Sequence, residues 1–197
     1  TNDSSGIIYK YHSGFATKVP FIWDYKISGT NGDNLFIGLR TGNKAGMTGT
    51  GVEASQNVGM GNAVFNSLTT GYRNTAFGNY AAQLQTGGFN NSAFGYESVM
   101  RSTTGFGNTG VGVRALKFTT TGYQNVAVGV DALWANTTGY YNVGVGLDAL
   151  YLNTTGAKNT AVGDSSITYN TTGNDNTGVG FKVLHDLIDG NYNTAIG

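Results

Sequence analysis

Nine asparagines, Asn57, Asn74, Asn91, Asn108, Asn125, Asn142, Asn159, Asn176 and Asn193, recur every 17 residues without a slip, and each is followed four residues later by glycine. An earlier copy, Asn34-Leu35-Phe36-Ile37-Gly38, stands one period plus six residues upstream. A strict short period is the mark of a solenoid, in which each coil packs only on its neighbours. Such a chain makes a rod or an extended surface rather than a deep pocket. The period divides the sequence into an aperiodic segment 1–33, a first repeat copy with a loop insertion at 34–56, and a solenoid at 57–197.

Composition narrows the functional classes. Glycine supplies 32 of the 197 residues and charged residues 11%. An apolar fraction of 39% at fixed positions argues against disorder, which needs low hydrophobicity and high net charge. A net charge of zero gives no electrostatic footprint for nucleic acid. No basic amphipathic stretch addresses a membrane surface, and the apolar runs are too short to insert in a bilayer. Cysteine is absent, which removes disulfides and thiolate zinc sites but leaves the compartment open. The chain starts at Thr1 and stops within a repeat, so a piece processed from something longer is expected.

Counting from the asparagine as position zero, position three is always apolar (Met60, Phe77, Phe94, Val111, Val128, Val145, Val162, Val179, Ile196) and position two is always glycine or alanine. In a strand, residues one and three share one face and zero and two the other. The asparagines should then stack as an amide ladder along the rod. Two large apolar side chains per coil give a thin core, and the small, uncharged zero/two face suits burial against other copies of the chain. Position four is glycine in every copy, and position 14 is glycine in all eight complete repeats (Gly71 to Gly190). Glycine at two fixed corners implies positive φ or close backbone approach. Each coil should rise ~4.8 Å, giving a rod about 40 Å long over the nine asparagines.

The arm between the two glycines fits a strand poorly. Position eight is apolar (Phe65, Val99, Leu116, Leu133, Leu150, Ile167), while position six is mostly polar (Glu97, Arg114, Asp131, Asp148, Lys182). A strand would place these two on one face. A single helical turn accommodates them better, with Asp131 and Asp148 in the first turn and Asn136, Asn153 and Asn170 near its end. The spacing therefore predicts a mainly β solenoid, parallel and β-roll-like, with one strand plus a short helical turn per coil. A two-strand coil is the alternative.

The segment Gly122-Tyr123-Gln124-Asn125-Val126-Ala127-Val128-Gly129 resembles the head repeat of YadA-type trimeric autotransporter adhesins, where serine is common at the asparagine position. Similar arrays occur in phage tail fibres and in the mosaic adhesive trimer fibres of predatory bacteria. The resemblance covers 57–197 and the copy at 34–38. It departs in one respect: the family's usual period is three residues shorter, and the extra residues all fall in the arm. The resemblance implies a homotrimeric extracellular fibre, on a bacterial cell surface or a virion tail, that recognises a cell-surface glycan or another surface receptor.

Several aromatic sets are candidate ligand contacts. Position 15 carries Tyr72, Phe89, Phe106, Tyr123 and Tyr140 in successive coils and then stops at Ala157, Asn174 and Asn191. This ladder could stack sugar rings, or simply stabilise the rod or a subunit seam. Trp134 and Tyr151, with Phe118 and Tyr169 one position along, should point outward if position eight points inward. The aperiodic segment holds Tyr9, Tyr11, His12, Trp23 and Tyr25 around two expected strands, at 8–12 and 21–27, and serves either as a cap on the open solenoid edge or as a ligand site. Catalysis finds no support: the two histidines, His12 and His185, stand far apart, and no acidic pair recurs with a partner. No metal or cofactor motif is present. Three functions follow in order: an adhesive fibre segment or tip; a structural spacer whose binding module lies elsewhere; and an ice- or crystal-face binder using threonine pairs such as Thr137-Thr138.

Overall fold

The computed structural model describes residues 8–10, 19–25, 33–42 and 54–197. Residues 43–53, within the loop insertion expected in 34–56, therefore lie outside the described residues. Within them the chain is a mainly β protein whose parallel solenoid runs for about eight turns of 17 residues. Strand β1 (Ile8–Lys10) pairs antiparallel with β2 (Val19–Tyr25), and β2 runs antiparallel along β3 (Asn34–Ile37). From β3 onward every neighbour is parallel, through three-residue strands from β4 (Val58–Met60) to β12 (Thr194–Ile196). The register is in phase with the repeat: Val126 faces Val143 and Val128 faces Val145. Strand order follows sequence order across the whole sheet, so each coil meets only the one before and the one after.

The buried face of the strand is the zero/two face. The asparagines from Asn34 to Asn176 are buried, as are Ala76, Ala93, Ala127 and Ala161. Their ladder is continuous. In each step the Oδ1 of one asparagine accepts the backbone N–H of the next, as in Asn125 to Asn108 at 3.1 Å and Asn142 to Asn125 at 3.0 Å. The side-chain Nδ2 donates to the position-14 carbonyl of its own coil, for example Asn108 to Gly122 at 2.8 Å and Asn125 to Gly139 at 2.8 Å. This overturns the expectation that the small face meets other copies. It meets the arm of its own chain: a Cβ on Gly110 would lie 2.6 Å from Ser98 Oγ and 2.8 Å from Val99 Cγ2. Position two has no room for a bulky residue, because the arm lies against it and fills the coil at position eight with Phe65, Val99, Leu116, Leu133, Leu150 and Ile167.

The arm is not helical, and no helix occurs among the described residues. The reason lies in the sign of φ. Position six is left-handed (Glu97 φ 55°, Arg114 58°, Asp131 56°) and so is position eight (Val99 49°, Leu116 54°, Leu133 53°). A helix needs consecutive negative φ values. Alternating handedness instead aims the N–H groups of positions six and eight in opposite directions. Here they point along the rod. Arg114 N–H donates to Tyr96 O of the preceding coil at 2.8 Å, and Leu116 N–H to Ala132 O of the following coil at 3.0 Å. Left-handed backbone costs about 1–2 kcal/mol at a non-glycine residue. These inter-coil bonds recur in every turn and offset that cost. The same geometry puts positions seven and eight both inside, which neither a strand nor a helix would do.

The two corner glycines have different causes. At position four φ is positive, from 126° at Gly38 to 142° at Gly61. At position 14 the constraint is proximity: a Cβ on Gly122 would sit 2.6 Å from Gly139 O, and one on Gly139 2.5 Å from Gly156 O.

Candidate functional site

Three features reach the surface: the aromatic ladder, the outward strand face and the arm. The ladder is a continuous stack. Ring centroids from Tyr72 through Phe89, Phe106 and Tyr123 to Tyr140 stand 4.9–5.0 Å apart, with interplanar angles of 2–7°. This spacing matches the ~4.8 Å rise of paired strands. Stacked rings cover one another's faces, so the inner members offer only edges to a ligand. The face-to-face stacking stops only where the ladder ends. At the Tyr72 end the Arg73 guanidinium stands 5.7 Å from the ring centroid. Tyr140 ends the stack at the other side, because the next coil supplies the methyl group of Ala157.

Beneath Tyr140 lies an open notch of about 410 Å³, lined by Tyr140, Ala157, Lys158, Asn174, Asp175, Asn191 and Tyr192. Its floor is a second amide ladder. Asn174 Oδ1 accepts from Ala157 N–H at 2.9 Å, and Asn191 Oδ1 accepts from Asn174 N–H at 2.7 Å and from Asn174 Nδ2 at 3.1 Å. The sequence shows the aromatic column giving way to Ala157, Asn174 and Asn191, but nothing in it marks Lys158, Asp175 or Tyr192. The signal was the Tyr-to-Ala change at position 15, which leaves room beside a ring of constant size.

On the arm, Trp134 and Tyr151 stack at 5.0 Å, and Phe118 meets Trp134 edge-on at 4.4 Å. The Arg101 guanidinium stands 4.8 Å from the Phe118 ring centroid. Tyr169 packs edge-on against His185 at 4.8 Å. Beside this group Arg114 pairs with Asp131 at 2.5 Å. Burial pushes the Asp148 carboxyl above the usual carboxylate range, and Asp131 and Asp164 in neighbouring coils push the same way. The Tyr151 hydroxyl is raised by burial and by the same column of carboxylates. Among the described residues no group of three His, Asp or Glu side chains could hold a metal ion. Nor is any helix there long and apolar enough to cross a membrane.

The outward strand face carries positions one and three, extended by position five (Tyr96, Val113, Val130, Leu147). Met60 is 43% exposed, Phe94 40%, Val111 39%, Val128 37%, Val130 41% and Leu147 46%. No charged residue occurs at positions one or three in any coil from Val58 to Ile196.

Other sequence candidates fall as follows. Tyr11 and His12 lie outside the described residues. Tyr9 lies on β1, and Trp23 and Tyr25 on β2, where only the strand pairing is described. Asn136, Asn153 and Asn170, which match a glycosylation sequon, are fully buried and donate to Gly139, Gly156 and Gly173 carbonyls, so the folded chain does not present them. The position-12 threonines donate their hydroxyls to the next coil, as in Thr137 to Thr154 O at 3.0 Å. Only the position-13 threonines, such as Thr138 and Thr155, are left exposed.

No protein-family model matches the chain, and neither a curated protein nor a solved structure shows significant similarity to it.

Proposed function

We propose that this chain is a segment or tip of a homotrimeric extracellular fibre, borne on a bacterial surface or a virion tail, that recognises cell-surface glycan. The observation that supports it is the apolar stripe at position three, from Met60 to Ile196, flanked by valine, threonine or serine at position one and widened at position five by Tyr96, Val113, Val130 and Leu147. A single subunit leaves this stripe in water over the whole length of the rod, and long apolar patches of that kind mark interaction surfaces. Closing three such stripes around one axis removes them from solvent. It also removes them in register, because every coil offers the same face at the same height. The number three comes from the resemblance of the Gly-x-x-Asn-x-Ala-Val-Gly segment to YadA-type heads. Adhesion fits a surface that repeats aromatic and amide groups along a rod. A receptor met this way is bound by many weak contacts, whose avidity exceeds that of any one.

Light scattering at micromolar chain concentration tests the assembly. Three chains are expected, and Val128→Asp with Val145→Asp should drive the mass toward one. A wild-type monomer in that range sinks the trimer. A glycan array then separates adhesion from the spacer alternative. Signal from this fragment supports adhesion, whereas a blank fragment beside a positive longer fibre supports the spacer.

A further inference from the structure

We propose that the notch beneath Tyr140 is a subsite for one neutral pyranose ring. The proposal rests on the glycan-recognition reading above and gives it a place and a chemistry. Four observations carry it.

The first is the end of the aromatic stack. Each ring of the ladder is covered by the next at 4.9–5.0 Å, but after Tyr140 the stack stops: the buried methyl of Ala157 takes the next position, and Tyr141 meets Tyr140 edge-on at 5.6 Å. A half-buried terminal ring lining an open notch offers apolar surface against which the C–H face of a sugar packs. Its position one rung above the notch fixes the sugar's plane perpendicular to the rod.

The second is the size of the space. A volume of about 410 Å³ falls in the common range for small-ligand sites, roughly 300–1,000 Å³. It is open on one side, as a glycan that continues into solvent requires.

The third is the floor. Asn174 spends its amide on Asn191 Oδ1 and on Thr172 O, at 3.1 Å each, and its Oδ1 on Ala157 N–H. The floor is therefore fixed rather than adaptable. Asn191 Nδ2 donates to nothing among the described residues, which leaves a donor on that rigid floor.

The fourth is the rim. Lys158 and Asp175 occupy the same position in adjacent coils, and neither enters an ion pair among the described residues. One supplies donors, the other acceptors, and together they carry no net charge. A neutral polyol satisfies both, while an anion or a cation would satisfy one and be repelled by the other. Tyr192, 81% exposed, adds a hydroxyl and a second ring at the lower edge.

The test uses residues 1–197 and saturation-transfer NMR with methyl β-D-galactopyranoside, methyl β-D-glucopyranoside and uridine as probes. Transfer to the ring protons of at least one glycoside is expected. Tyr140→Ala should weaken that binding about tenfold or more. Ala157→Phe should abolish it by extending the ladder into the notch, without lowering the melting temperature. Should Ala157→Phe misfold, the exposed rim variants Lys158→Ala and Asp175→Ala serve in its place, each expected to weaken binding. Asn66→Ala, at an exposed position in the first regular coil, should leave binding unchanged. Transfer that persists in both Tyr140→Ala and Ala157→Phe overturns the proposal. So does transfer to uridine alone, or to no probe. The fibre reading fails separately: a monomer by light scattering sinks it whatever the notch binds, and cell adhesion undiminished in Tyr140→Ala sinks the notch while leaving the fibre.

Discussion

Replacing one ladder asparagine by alanine should cost an amount that depends on which coil is chosen. Asn108 Nδ2 is the donor to Gly122 O, and Asn108 Oδ1 accepts both Asn125 N–H at 3.1 Å and Asn125 Nδ2 at 3.0 Å. In Asn108→Ala, the buried Asn125 N–H and Gly122 O both lose their partner. In Asn125→Ala the Asn142 N–H is orphaned in the same way, but Gly139 O keeps a donor, Asn136 Nδ2 at 3.1 Å. The position-11 residue of the Asn108 coil is Thr119, whose hydroxyl makes no such bond. A buried polar group left unpaired costs about 1–3 kcal/mol. Two orphans and the loss of the amide's packing give about 3–5 kcal/mol for Asn108→Ala. One orphan gives about 2–3 kcal/mol for Asn125→Ala on the same reckoning. Urea unfolding at fixed chain concentration reads the difference, since assembly makes stability concentration-dependent. Native-state hydrogen exchange reads its location: the Asn125 amide should open in the first variant and the Asn142 amide in the second. Equal destabilisation of the two, or a cost under about 1 kcal/mol for Asn108→Ala, would refute the idea that the ladder holds the coils together through satisfied amides.

Three further outcomes are expected. Gly129→Ala should be among the most damaging single alanine substitutions, because φ is 139° and the new Cβ collides with Gly146 O; thermal unfolding should show a loss well above the usual ~1 kcal/mol of a point change. Gln124→Gly should stabilise by about 1 kcal/mol, since Gln124 is exposed with φ 53° and the equivalent residue one coil earlier is already Gly107 at 65°. Asp148→Asn bears on pH. The folded Asp148 carboxyl titrates above its unfolded value, so its stabilising contribution is present below the unfolded value and is lost as pH rises through the folded one. The variant should melt higher than wild type near neutrality, with the gap closing toward pH ~4. A gap that widens on acidification would refute the assignment.

The repeating asparagine and the two glycines made the axial order legible before any coordinates. Residues 17 apart sit in register because Asn125 can bond Asn142 only when the coils are aligned, and a single slip would strand every amide. The end of the aromatic column at Ala157 was legible too, but the space beside it was not. That space depends on the next two coils placing Asn174 and Asn191 as a floor. The arm was misread because hydrophobic spacing reports which residues are buried together and says little about the sign of φ. Leu116 and Leu133 are unremarkable helix formers whose left-handed backbone follows from hydrogen bonds to neighbouring coils.

The sequence by itself determined the period, the parallel stacking, the axial amide ladder and the positions where only glycine fits. All of these are fixed by contacts a residue makes with its own equivalent one repeat away. The tertiary structure alone decided which strand face is inside. By hydrophobicity Val128 and Phe94 look like core and Ala127 and Ala93 like filler. The arm packs its position-eight side chain against the small face of the strand, and the bulky strand residues are left facing out.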